Sequence, residues 1–270
     1  MLLSVVEYAR PATVEEAVRL LAANDGARPL AGGQTLVNVM KARAAAPDVL
    51  VDLADLEQLT TISRSGDGGL ELGAMVTYAQ LASSSEVGSA RPILAAVASQ
   101  IGDVQVRNRG TIGGNACAND PTNHFPPVLV AIGATMTIVG QHGERAVAAE
   151  DFFLGVYMTA VEPGELLTKI SVPTLDGGGD GFAAVTIGRE GTCIVSAAAT
   201  ARDGNARVAL GCVSATPVSV QAAADEQPVR EAVRGAGLDP PSDVHGSAEY
   251  RRHLAEVVAV RAVEQASGRS

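Results

Sequence analysis

The chain has 270 residues, 47% of them hydrophobic, and a formal net charge of −10 from 30 acidic and 20 basic residues. That length can bury a large core, as one domain or as two to three small ones, while the acidic excess excludes a nucleic-acid groove, which needs clustered Lys and Arg against phosphates. No apolar run reaches the ~20 residues of a membrane span, and the opening MLLSVVEYARPATVEEA turns polar too early for a secretory signal, so the expected setting is soluble and cytoplasmic.

In chain order, TVEEAVRLLAAND places Thr13 as an N-cap, Glu16 three residues on, and Ala17, Leu20 and Leu21 at helical spacing. A short apolar strand in GARPLAGG then runs into paired glycines and a helical-looking segment, and VLVDLADL reads as a strand and turn, completing a small α/β unit of about sixty residues. Two β-rich pieces flank the turn GDGG and lead to a helix beginning near Thr77. ARPILAAVASQIG predicts a packed helix through Ile93, Leu94, Val97 and Ile101, ending at Gly102. A second glycine pair follows in TIGGNACANDP. Beyond it PPVLVAIGA reads as a helix, TMTIVG as a strand, and GELLTKISVP as a strand ending at Pro173. The glycine run in TLDGGGDGF marks a boundary. CIVSAAATAR and ARVALGCVSATPVSV are then expected to pair as antiparallel strands about the turn DGNA, with helices filling the remainder. Three small mixed lobes fit this pattern, with no internal repeat.

Cys117, Cys193 and Cys212 are far apart and form no CxxC pair, so this chain by itself supplies neither a zinc ribbon nor an iron–sulfur cluster. The plain expectation is three small, buried thiols in a reducing compartment. The histidines, His124, His142, His245 and His253, show no metal-ligand spacing. No Ser-His-Asp set or carboxylate pair asks for a general base.

The chemistry therefore rests on the two glycine segments, AGGQTL and TIGGN. A glycine pair after a strand is commonly a tight turn, but two of them offer backbone N–H groups clear of side chains and could grip a pyrophosphate from two sides. Neither segment matches the dinucleotide fingerprint G-x-G-x-x-G or the phosphate-binding G-x-x-x-x-G-K-[ST]. The ligand indicated is a nucleotide or dinucleotide cofactor bound largely by peptide N–H groups.

AGGQTLVNVMKARAAAPDVLVDL and QVRNRGTIGGNACANDP, some eighty residues apart, resemble the two FAD-binding segments of the flavin subunit of molybdenum hydroxylases. That family includes the medium subunits of aerobic carbon monoxide dehydrogenase and the central domain of xanthine dehydrogenase. VEYARPATVEEAVRLL, GELLTKISVP and the late VHGSAEYRR extend the resemblance nearly end to end. It implies an α+β fold of the vanillyl-alcohol-oxidase type: two FAD-binding lobes, residues 1–57 and 58–175, followed by a C-terminal α+β flavoprotein domain, 176–270. It also implies FAD on this chain, 2Fe-2S clusters on a small partner subunit, molybdopterin on a large one, an external electron acceptor and a dimer of heterotrimers.

By the same resemblance Ala31, Gly32, Gly33, Gln34, Thr35 and Leu36 would wrap the FAD diphosphate, and Thr111, Ile112, Gly113, Gly114 and Asn115 would close on it. Asp120 and Leu167 would lie close by, while Arg107 and Arg109 would brace the loop or face a partner. Two departures stand out. His124 occupies a position where many relatives carry an Asp, and in GREGTCIVS the family's basic residue is kept as Arg189 while Thr192 or Cys193 replaces the usual acid. A self-contained flavin oxidase is the competing expectation, against which stands the lack of a large cap domain.

Overall fold

A computed structural model describes residues 3–188 and 191–269. The first unit is a parallel sheet in the order β1-β3-β2, built from β1 (Glu7–Ala9), α1 (Val14–Ala22), β2 (Ala27–Leu30), α2 (Leu36–Lys41) and β3 (Val49–Asp52). Helix α1 starts where its cap predicts: the Glu16 amide donates to the Thr13 hydroxyl at 3.1 Å, while the Glu16 carboxylate takes the Ala12 amide. Its Val14, Ala17, Val18 and Leu21 face β3 and form a small core with Val51, Leu53 and Leu56.

The second unit is a five-stranded antiparallel sheet, β4-β5-β10-β6-β7. It begins with β4 (Ile62–Arg64) and β5 (Leu70–Gly73). Five helices then intervene: α3 (Tyr78–Ser83), α4 (Ser85–Ala90), α5 (Pro92–Gln100), α6 (Val104–Arg109) and α7 (Ile112–Ala118). Next come α8 (Phe125–Ala131), β6 (Thr135–Gly140), β7 (Gly143–Ala148), α9 (Ala149–Phe152), the short hairpin β8 (Phe153–Gly155) and β9 (Met158–Thr159), and finally β10 (Leu166–Val172). Thr77 and Gln80 close a reciprocal capping box on α3, 3.2 and 2.8 Å. Every residue of α8 is buried, as an all-apolar helix must be. It packs on the sheet of the third unit and against α7 and α9, and shares a core with Met136 and Ile138 of the second sheet, which explains how PPVLVAIGA keeps a helical path despite its valines.

The third unit is an antiparallel meander of β11 (Gly179–Ile187), β12 (Thr192–Arg202), β13 (Asn205–Gly211) and β14 (Val218–Ala223), backed by α10 (Glu226–Gly235) and α11 (Ala248–Ala266). Alanine is a poor strand former in isolation, yet Ala197, Ala198, Ala199 and Ala201 of β12 are all buried, because α11 covers one face and α8 approaches the other. Arg91, at the head of α5, ties this sheet to the second unit through Asp180.

Two expectations need correction. ARVALGCVSATPVSV is not one strand: the backbone turns out of register at Cys212, which has φ +65°, and resumes as β14. TIGGN is not a loop: Thr111 is the N-cap of α7, and both glycines lie in its first turn. The departure at Arg189 lies outside the described residues.

Candidate functional site

The two glycine segments touch. A Cβ on Gly32 would collide with the carbonyl of Arg109, so only glycine allows the end of β2 to rest on the end of α6. Gly114 faces the Ala31 methyl, 3.5 Å from where its own Cβ would stand. Arg107 braces α6 by donating to the carbonyls of Ile101 and Gly102 at 3.2 and 2.8 Å, while Arg109 is exposed beside the junction.

The backbone amides of the two segments are used differently. Along the second, Ile112 donates to Val76 and Gly113 to Ala74, each at 2.9 Å; Gly114 donates to the Thr111 hydroxyl and Asn115 to the Thr111 carbonyl, each at 3.0 Å. These N–H groups are therefore spent on pinning α7 to the rim of the sheet, and the expected two-sided amide grip does not form. Gly113 serves that packing as well, since a Cβ there would stand 2.5 Å from the Ala74 carbonyl oxygen. Ile112 is fully buried and Thr111 is 2% exposed.

In the first segment the opposite holds. Among the described residues, the amides of Gly32, Gly33, Gln34, Thr35 and Leu36 have no protein acceptor. Gly33 adopts φ +72°, a left-handed conformation that turns successive N–H groups toward one side. Gln34 stiffens the turn through its own side chain, which donates to the Gly32 carbonyl at 3.1 Å, and Asn38 donates to the Gln34 carbonyl at 2.7 Å. Thr35 is exposed and its hydroxyl does not cap α2. A run of unpaired amides around a left-handed glycine is the arrangement that receives an anion.

Helix α7, seven residues or about 10 Å long, carries the site from this nest to a second cluster. Asn119 ends the helix in the left-handed region, φ +40°, and its side chain donates to the carbonyls of Gly155 and Met158 at 2.7 and 3.1 Å. Asp120 accepts from the Thr122 amide and hydroxyl and, at 3.1 Å, from the Tyr157 hydroxyl. Tyr157 is itself left-handed, φ +58°, and stands exposed beside Leu154, Val156 and Met158 on the β8–β9 hairpin. Between the two clusters, Asn115 donates to the Tyr78 hydroxyl at 2.9 Å, while its Oδ1 is buried without a partner. Burial pushes the Tyr78 phenol up to about 12, so it stays a neutral hydrogen-bonding group.

Leu167 is placed otherwise than a cofactor contact would suggest. Its side chain is 2% exposed within the central core, next to the irregularity of β10 at Thr168. His124 immediately precedes α8, 7% exposed, edge-on to Phe182 with ring centroids 5.2 Å apart. Sequence reasoning does not single out Asn119, Tyr157 or Tyr78. The Asn-Asp-Pro run after a helix is a readable signal for a left-handed turn at Asn119. Tyr157 carries none, since its neighbours come from distant parts of the chain.

An amide nest on one lobe, closed by a helix of a second lobe and leading to a polar loop with an apolar rim, defines a protein that holds an extended nucleotide cofactor. Residues 4–175 match the family described as the FAD binding domain in molybdopterin dehydrogenase. Over 98% of its length the chain is 39% identical to the carbon monoxide dehydrogenase medium chain of Afipia carboxidovorans, covering 97% of that chain. It is 34% identical to the nicotine 6-hydroxylase medium subunit of Paenarthrobacter nicotinovorans, with 100% of both chains covered. A solved structure of reconstituted CO dehydrogenase from Oligotropha carboxidovorans superposes with a TM-score of 0.94 at 37% identity, covering 100% of both chains. A chain of quinoline 2-oxidoreductase from Pseudomonas putida superposes with 0.91 at 33% identity, covering 100% of this chain and 99% of that one. The chain belongs to the FAD-binding family of molybdopterin dehydrogenases: an oxidoreductase component with the α+β fold of that family and FAD as its own cofactor.

Proposed function

We propose that this chain is the electron-transfer subunit of a heterotrimeric molybdenum hydroxylase of the cytoplasm, seated between a small subunit bearing 2Fe-2S clusters and a large subunit bearing molybdopterin, in a dimer of heterotrimers. FAD, when bound, supplies the redox chemistry, accepting electrons from the clusters and delivering them to an external acceptor. The contribution of this chain is to bind, orient and shield.

The observation that carries the reading is the run of unpaired amides from Gly32 to Leu36 around left-handed Gly33. These N–H groups take the diphosphate without a lysine. Ala31 and Gly114 set the spacing between the lobes. Thr111, Ile112 and Gly113 hold α7 in place rather than touching the cofactor, Asn115 offers its unpartnered Oδ1, and Asp120 fixes the loop beyond. Leu167 acts through the core behind α7. The exposed apolar side chains of Leu154, Tyr157 and Met158 provide cover beside that loop for a flat ring or a partner surface. Support for partner subunits comes from the relatives, which are named as a medium chain and a medium subunit.

The test is the visible spectrum and metal content of the complex that copurifies with this chain. Flavin bands with iron and molybdenum support the assignment. Flavin without either metal points to the self-contained flavin oxidase, and a colourless chain defeats both.

A further inference from the structure

Arg109 stands where the first two lobes meet, on a backbone held from several sides. Asp103 caps its helix, α6, by accepting the Val106 amide at 2.8 Å. The next residue, Gly110, donates its amide to the Val106 carbonyl at 2.7 Å and accepts the Tyr78 amide at 3.0 Å. On the other side the Arg109 carbonyl lies against Gly32, the residue before left-handed Gly33. The backbone of Arg109 is thus fixed at the edge of the amide nest.

Its side chain is free. Arg109 is exposed and, among the described residues, makes no side-chain hydrogen bond or ion pair. Neighbouring cations are committed elsewhere: Arg107 to the carbonyls of Ile101 and Gly102, and Arg28 to those of Asp25 and Ala27. Lys41 closes α2, six residues or about 9 Å from the start of that helix, and so lies at the end away from the nest. The chain as a whole carries a net charge of −10, which repels a dianionic diphosphate. Amides offset that repulsion with partial charges only. A guanidinium brings a full charge and a planar fork of donors that fits phosphate oxygens.

We propose that Arg109 is a cofactor-binding residue: reaching from the second lobe, its guanidinium pairs with the diphosphate that rests on the amides of Gly32 to Leu36 in the first, and so clamps the two lobes on the cofactor. This rests on the cofactor reading above and adds to it the source of the positive charge. The pairing is exposed and therefore screened by salt, whereas the hydrogen bonds of neutral amides depend far less on ionic strength. A lysine in its place keeps the charge and loses the two-pronged grip.

The complex as purified is compared with Arg109→Gln and Arg109→Lys. Free FAD is separated by ultrafiltration over a dilution series and measured by its visible absorbance, giving a dissociation constant at about 0.05 M and at about 1 M sodium chloride. The contact of Arg109 with Gly32 is made by the backbone, so both variants should keep the fold and the melting temperature of the wild type. At low salt Arg109→Gln should hold FAD about tenfold more weakly, with Arg109→Lys in between. At high salt the gap between variants and wild type should narrow. An Arg109→Gln complex that holds FAD as tightly as wild type at low salt, or a loss of the same size at both salt concentrations, overturns the proposal. Subunits of Arg109→Gln that separate on gel filtration, with FAD still bound to this chain at wild-type affinity, overturn it in favour of an arginine that faces a partner. A wild-type complex without FAD overturns the cofactor reading and this proposal with it.

Discussion

Replacing Arg91 with Ala should destabilise the protein far more than loss of an ordinary arginine. Arg91 and Asp180 have side chains only 3% exposed, and the pair joins α5 of the second unit to β11 of the third. The guanidinium reaches Asp180 through Nε at 2.6 Å and Nη2 at 3.0 Å. It also donates to the carbonyls of Pro173 and Thr174, each at 2.9 Å, and to the Thr200 hydroxyl at 3.3 Å. Removing it leaves a buried carboxylate with one protein donor, Thr200 at 2.7 Å, and two carbonyls without theirs. Breaking a buried pair from one side costs about 3–5 kcal/mol, and for a chain of this size that is a fall in melting temperature of roughly 6–20 °C. Replacing both partners, Arg91→Met with Asp180→Leu, removes the stranded charge and should recover most of the loss. Thermal and urea unfolding of the three variants decide it. A loss below about 1 kcal/mol in Arg91→Ala, the scale of an exposed pair, or a double variant no better than the single one, would refute the reasoning.

Gly33→Val should abolish flavin retention, because a side chain at φ +72° misdirects the amides of the nest; the strain is about 1–2 kcal/mol, so circular dichroism should show a folded protein, and a normal flavin spectrum would remove the nest from the site. Gly113→Val, by contrast, drives a side chain into the Ala74 carbonyl and should yield insoluble or strongly destabilised protein, read by expression and unfolding. Thr13→Ala should cost about 1 kcal/mol through the lost cap of α1, measured by urea unfolding. Glu165 and Glu256 are held below the usual carboxylate range by hydrogen bonds from Arg145 and Arg234 respectively. Their stabilisation is fully present above the ordinary glutamate value of 4.5 and is lost as pH falls below it toward the depressed folded values. Arg145→Met should therefore lower the melting temperature at pH 7 and leave it closer to wild type at pH 3.

Features governed by neighbours along the chain are legible in the sequence itself. The caps at Thr13 and Thr77, the stop at Gly102 and the strand before AGG all depend on backbone chemistry within a few residues. The two glycine segments are also recognisable as a pair of cofactor motifs by their order and spacing. What cannot be read there is which of their amides remain available. TIGGN and AGGQT look alike as strings, but the Ala74 and Val76 carbonyls, supplied by another part of the chain, take the amides of the first and leave those of the second open. The meeting of His124 with Phe182, ring centroids 5.2 Å apart, is of the same kind: it brings the start of α8 against β11, a packing outcome that no local pattern encodes. Local backbone chemistry thus determined the elements and the motif pair, whereas hydrogen-bond competition and burial across distant segments decided which groups face a ligand.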